Sequence, residues 1–195
     1  MAAPKDLSTL NVSAVYVMNK ALSDDTDGIL SMQGVSWINR TAISYGTITL
    51  YVKHYKDENG IEHVDTEQTL TGISGTAELR VLDWTTREHY DYLFGHVVGK
   101  SRRRNVGDIE DDYLKGGWLP DTVEHGVIAS WIESDTKKSG YSWTSDEVWG
   151  FEEVKEERRY TRHIKFTEKP GGKVVEARIV YDYYSPYSSP DTTAE

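Results

Sequence analysis

The sequence predicts a mainly-β protein built as a single antiparallel barrel of about eight or nine strands, with a helix near the N-terminus and short helical turns. Three observations carry this: a series of period-2 segments, turn residues between them at meander spacing, and only one long stretch of helical periodicity. Closing such a sheet on itself hides its edges, and an eight-stranded barrel can hold one small ligand. The competing architecture is a β-sandwich, which an early helix and strictly sequential hairpins disfavour.

The elements follow in order. Leu10 to Val17 is a short apolar run read as a first strand, and Leu22 to Asp27 offers several N-caps. Ile29, Met32, Val35 or Ser36, and Ile38 or Asn39 then recur at roughly helical spacing, predicting one helix from about Asp27 to Tyr45. Tyr45 to Tyr55 alternates, with Ile48, Leu50 and Val52 on one face. Asp57-Glu58-Asn59-Gly60 is a hairpin turn, because Asn-Gly accepts positive φ, so Ile61 to Leu70 returns beside that strand. Further strands are predicted over Gly75–Trp84, His89–Arg103 (bent at Gly95 or Gly99), Val123–Glu133, Val148–Val154, Arg159–Thr167 and Val174–Tyr184. Asp108 to Leu114 is expected as a short helix, and Thr144-Ser145-Asp146-Glu147 as a capping box opening a helical turn. Residues 1–185 form one domain on this reading, and 186–195 a loose tail.

The 195 residues are 37% hydrophobic and 28% charged, with 13 Tyr and 6 Trp, enough for a packed core. No apolar run is long enough for a transmembrane helix, so no membrane partner is expected. The opening lacks a secretory profile, which with the absence of Cys points to a cytoplasmic protein. Zero Cys also removes disulfides, thiolate zinc sites and cysteine nucleophiles. A net charge of −10 opposes nucleic-acid binding, and Arg102-Arg103-Arg104 reads as a solvated strand end. Gly95 to Ser101 superficially matches a phosphate loop, but it has one residue too few between its glycines and sits within a strand. The six His form no metal-binding pair and no G-x-G-x-x-G or H-E-x-x-H motif appears, so neither metal nor cofactor is expected.

Candidate chemistry rests on two constellations. His125 and His163 lie in aromatic-rich segments, and an imidazole in a barrel lumen could move a proton without a cofactor. His163 shares a strand face with Arg159, while Tyr160 and Arg162 occupy the other. In the second constellation, alternation puts Glu78, Arg80 and Leu82 on one face and Leu79, Val81 and Asp83 on the other. The ordinary expectation turns the apolar set inward and leaves Glu78 and Arg80 as a surface pair; the alternative is a charged pair lining a polar cavity. The Trp residues suit either a filled core or an aromatic-lined pocket. The Tyr-rich C-terminal strand, including Tyr181, Tyr183 and Tyr184, raises the possibility of a homo-oligomer.

The segments Leu22–Arg40, Leu82–Gly95, Lys115–Trp118, Glu147–His163 and Arg178–Tyr184 resemble a family of small fungal proteins of lipocalin-like (calycin-type), fatty-acid-binding-type barrel fold. The resemblance spans nearly the whole chain. It implies a helix lidding a cavity, and a link to fungal secondary metabolism, where comparable folds act as cyclases, isomerases or pericyclases. On that basis the expected function is a cofactor-independent enzyme that guides cyclisation or isomerisation of a small aromatic or polyketide-like molecule. The polar candidates are His125, His163, Arg162, Glu78 and Arg80; the cavity aromatics are Trp37, Trp131, Trp149, Tyr160 and Tyr181. The alternatives are a non-catalytic carrier of an apolar small molecule and an interaction protein with a solidly packed barrel.

Overall fold

A computed structural model describes residues 1–190, so the expected tail falls, from residue 191 on, outside the described residues. Ten strands form one antiparallel sheet: β1 (Ala14–Met18), β2 (Ile48–Lys56), β3 (Glu62–Leu70), β4 (Ile73–Val81), β5 (Arg87–Asp91), β6 (Gly95–Arg104), β7 (Val127–Ser134), β8 (Trp143–Val154), β9 (Glu157–Glu168) and β10 (Val174–Pro186). Their order is β4-β3-β2-β1-β10-β9-β8-β7-β6-β5, so β1 bonding to β10 joins the two ends of the chain. The barrel is closed except for a seam between β4 and β5, where the bridge Asp83–Arg102 ties the β4–β5 connection to β6.

The strand count is ten because the segment expected as one bent strand folds into two. Gly95, at φ +73°, ends a tight connection after Asp91, whose carboxylate accepts from the Leu93 and Phe94 amides. The expected hairpin at Asp57–Gly60 forms, with Asp57 Oδ1 accepting from Asn59 and Ile61. The single helix expected over Asp27–Tyr45 is instead a pair, α1 (Asp27–Met32) and α2 (Trp37–Tyr45). Gly34 at φ +87° breaks it, and Ser36 caps α2 by accepting from the Asn39 amide. The pair covers one end of the barrel. Lys20 fastens it by donating to the carbonyls of Ile43, Ser44 and Gly46, and Arg40 bridges to Asp27 at 2.8 Å.

The capping box expected at Thr144–Glu147 does not open a helix. It lies inside β8, because continuous pairing with both β7 and β9 satisfies its backbone and overrides the local signal. The chain between β6 and β7 leaves the sheet as a 3-10 turn (Val106–Asp108), α3 (Asp112–Lys115) and α4 (Pro120–His125). It packs Val106, Ile109, Leu114 and Trp118 onto the outer faces of Val127, Ala129 and Val148, forming a second small core outside the barrel. A last turn, α5 (Thr136–Ser139), links β7 to β8.

The barrel end away from the helices is filled by Tyr16, Val52, Val64, Phe151 and Tyr160, and closed by a polar plug. Arg103, expected as part of a solvated triplet, points into this plug: Glu62 accepts from Arg103 and from His54 Nε2, the latter at 2.7 Å, and Arg103 also reaches the Thr9 carbonyl. His54 Nδ1 accepts from the Val12 amide, so the imidazole carries its proton on Nε2. Burial works against the Glu62 charge, but the bonds from His54 and Arg103 outweigh it and bring its pKa from 4.5 down to about 2. A depressed carboxylate pKa stabilises the fold above pH 4.5 and loses that contribution as pH falls toward 2. The urea midpoint is therefore expected to fall across this window in the wild type and less steeply in Glu62→Gln; equal slopes would remove Glu62 from the acid response.

Candidate functional site

Between the helical lid and the packed closed end lies a cavity of about 600 Å³. A space of this size falls within the range of small-molecule sites and rules out the solidly packed barrel. Its upper wall is apolar, with Ile29 and Ile43 from the lid, Phe94 from the β5–β6 connection, and Ile48, Leu70, Ile132, Trp143, Ile164 and Ile179 from the strands. The cavity extends to the β4–β5 seam, where it is lined by residues of both β4 faces and by Thr85, Arg87 and His89.

The floor is polar and follows from strand alternation. On β8, Trp143, Ser145, Glu147, Trp149 and Phe151 share one parity; on β9, Tyr160, Arg162, Ile164 and Phe166 do. Register then sets Ser130 beside Glu147, Trp149 beside Arg162 and Tyr160 beside Tyr181. Arg162 Nη2 donates to Glu147 Oε1 at 2.6 Å, and Ser145 donates to the same oxygen at 2.9 Å. Across the barrel, Arg80 pairs with Glu78 and donates to Thr66 Oγ1 at 3.3 Å. The Arg80 and Arg162 guanidiniums both lie against the Trp149 ring, 4.5 and 5.2 Å from its centroid. A void of about 20 Å³ beneath them continues toward the closed end, bounded by Trp149, Tyr160 and Tyr181 among others. Ser101 and Ser130 add hydroxyls 2.6 Å apart on the adjoining wall.

The electrostatics of this floor are mutually set. Burial opposes the Arg162 charge, yet Glu147 and the Tyr181 hydroxyl outweigh it and raise its pKa. Burial and the neighbouring Arg162 charge bring Arg80 down to about 10, which still leaves it protonated at neutral pH. Burial raises the phenol pKa of Tyr160 and of Tyr181 against the opposing pull of the two arginines, so both remain neutral donors.

Of the expected site residues, Glu78, Arg80, Arg162, Trp149, Tyr160 and Tyr181 meet at this floor. Glu78 and Arg80 are thus inside, contrary to the ordinary expectation, while Leu79 is 71% exposed. The structure does not bring His125, His163, Trp37 or Trp131 to the cavity. His125 ends α4, ahead of β7, and its carbonyl accepts from Arg103. His163 faces outward from β9, beneath Trp118 and beside Glu152. Trp37 lies on the outer side of α2, 70% exposed. Trp131 alternates with the cavity-lining Ser130 and Ile132 and so faces outward, under Lys100. Glu147, Ser101, Ser130, Ser145 and Gln68 are lining residues the sequence reading missed. For Glu147 the signal was present, since it shares the parity of Trp143, Trp149 and Phe151.

Among the described residues no group of three or more His, Asp or Glu is placed to hold a metal ion. Among the described residues no helix is long and apolar enough to cross a membrane.

No family model matches the chain. It is 29% identical over 189 residues to a probable pericyclase, scpY, of Mollisia scopiformis, covering 95% of this chain and 96% of that protein. It is 27% identical over 194 residues to the pericyclase pydY of an Acremonium species, covering 95% and 98%. Among solved structures it resembles apo lipid binding protein 8 of Caenorhabditis elegans, with a TM-score of 0.58 at 12% identity over 88% of this chain and 94% of that one. It also resembles a Schistosoma mansoni fatty acid binding protein in complex with arachidonic acid, with a TM-score of 0.51 at 12% identity over 88% and 95%. Identities this low speak to the fold alone. The chain has a lipocalin-like, fatty-acid-binding-type β-barrel fold, and its sequence is similar over nearly its whole length to a probable pericyclase and to a pericyclase.

Proposed function

We propose that this protein is a cofactor-independent cyclase of the pericyclase type, acting on a small polyketide-like or aromatic molecule held in the barrel. The observation that carries the reading is the cavity of about 600 Å³ with apolar upper walls and two arginines on its floor. The pericyclase names of two relatives, each covering 95% of the chain, support it.

A pericyclic ring closure redistributes bonds within one cyclic array of electrons, so product and substrate are isomers and no proton need leave or arrive. The protein then has two tasks. The first is to fold a flexible chain so that its reacting ends meet, converting an improbable conformation into a populated one; such orientation is worth up to roughly 7–11 kcal/mol in favourable cases. The Ile, Leu, Phe and Trp side chains of the upper wall perform it. The second is to polarise an electron-poor alkene by hydrogen bonds to a conjugated carbonyl, which Arg162 and Arg80 supply from a floor already ordered by Glu147, Glu78 and Trp149. The inward position of these groups, and the outward position of both histidines, makes hydrogen-bond polarisation the favoured chemistry over proton shuttling.

The test is conversion of linear polyenes that end in a conjugated carbonyl, followed by chromatography with mass detection and NMR. A product of unchanged mass with a new ring, formed faster than without protein, is expected. A second reading, a carrier, draws on the fatty-acid-binding neighbours; polyenes bound and recovered unchanged would favour it and count against catalysis.

A further inference from the structure

We infer that the cavity floor selects an uncharged polar head that both donates and accepts a hydrogen bond, an N–H or enol O–H beside a carbonyl, in preference to a carboxylate. The inference deepens the proposed function and rests on the cavity being the ligand site. Two observations carry it, the charge balance of the floor and its unpartnered atoms.

Each guanidinium on the floor already has a counter-charge. Glu147 faces Arg162 and Glu78 faces Arg80. The charged groups nearer the seam are likewise engaged: Arg87 with Asp83, Glu88 with Lys138, Asp91 with the Leu93 and Phe94 amides, and Lys100 with the faces of the Trp84 and Trp131 rings on the outer side. An anionic head entering this floor meets two positive and two negative charges, so its own desolvation is not offset by a net attraction. A neutral head loses far less on leaving water.

The unpartnered atoms say what that neutral head should carry. Glu147 is 3% exposed, and its Oε1 takes both available bonds, from Ser145 and Arg162. Its Oε2 is buried without a partner, on a residue that lines the cavity. That oxygen can only accept, so a ligand satisfies it by donating, and a carboxylate placed there would repel it. On the same wall, Arg162 Nε is a buried donor without a partner, which a ligand carbonyl would satisfy. Donor and acceptor on one neutral head match donor and acceptor on one ion pair.

Palmitic acid, its methyl ester and its N-methylamide share one chain and differ only in the head, so the experiment is their displacement of Nile red from the intact protein. The amide is expected to displace the dye at a concentration at least about tenfold below that of palmitate, with the ester between them because it accepts but does not donate. In Glu147→Gln the gap between amide and palmitate is expected to shrink to about threefold or less, since the buried negative oxygen is gone. Palmitate binding as tightly as the amide in the wild type overturns the inference while leaving the cavity as the ligand site, and needs no variant to fold. An unchanged gap in a folded Glu147→Gln variant also overturns it. Displacement by none of the three overturns the cavity reading and this inference with it.

Discussion

Replacing Arg162 with methionine is expected to abolish ring closure and to destabilise the barrel by about 3–5 kcal/mol, the cost typical of removing one partner from a buried ion pair. The stability loss arises at Glu147, which is 3% exposed and would keep only the Ser145 hydroxyl. The activity loss arises because the side chain that donates into the cavity is gone. These two effects separate in the double variant Arg162→Met with Glu147→Gln. Removing the stranded charge is expected to recover most of the stability in urea unfolding, while turnover stays absent. A double variant that turned over at the parental rate would take Arg162 out of the chemistry.

Of the Arg162–Glu147 pair, only Arg162 was legible in the sequence. The strands and turns from Ile48 to Leu70 were readable because a strict alternation ran up to an Asn-Gly turn, and local chemistry fixed both register and face. Arg162, Tyr160, Trp149 and Tyr181 were candidates by residue type, with the inward face left open; strand pairing is what brings them to one parity facing the lumen. Glu147 was not, because Thr144-Ser145-Asp146-Glu147 carries a genuine capping signal that only sheet pairing overrides. Glu78 and Arg80 were placed outside by the rule that the apolar face goes in. The rule failed at β4 because this strand borders a seam on one side and a polar floor on the other, so the apolar Leu79 is the exposed residue. Sequence patterning assumes an apolar interior, and a binding barrel departs from it where its ligand is polar.

The histidines mark a different limit. His125 and His163 were attractive because aromatic and charged residues flank them, but flanking in sequence says nothing about which sheet face is covered from outside. The segment between β6 and β7 covers the outer face of β8 and β9, so burial there signals a second core and not the lumen. His163 is 4% exposed, its Nδ1 donates to the Tyr113 carbonyl at 3.0 Å, and its Nε2 lies 3.1 Å from Glu152, itself 3% exposed. Trp118 lies against the ring at a 32° tilt with centroids 4.5 Å apart. The imidazole therefore pins α3 and its flanks onto the barrel wall.

His163→Ala is accordingly expected to cost about 3 kcal/mol in urea unfolding, because it strands the Tyr113 carbonyl and leaves a void beneath the Trp118 and Tyr113 rings. Turnover per folded molecule should stay within about twofold of the parent, since His163 and Arg162 are neighbours in sequence that face opposite sides of β9. A tenfold fall in kcat with stability preserved would reverse this assignment. It would mean that a proton relay reaches the lumen through the barrel wall, and that the chemistry on the floor is acid–base catalysis instead of hydrogen-bond polarisation.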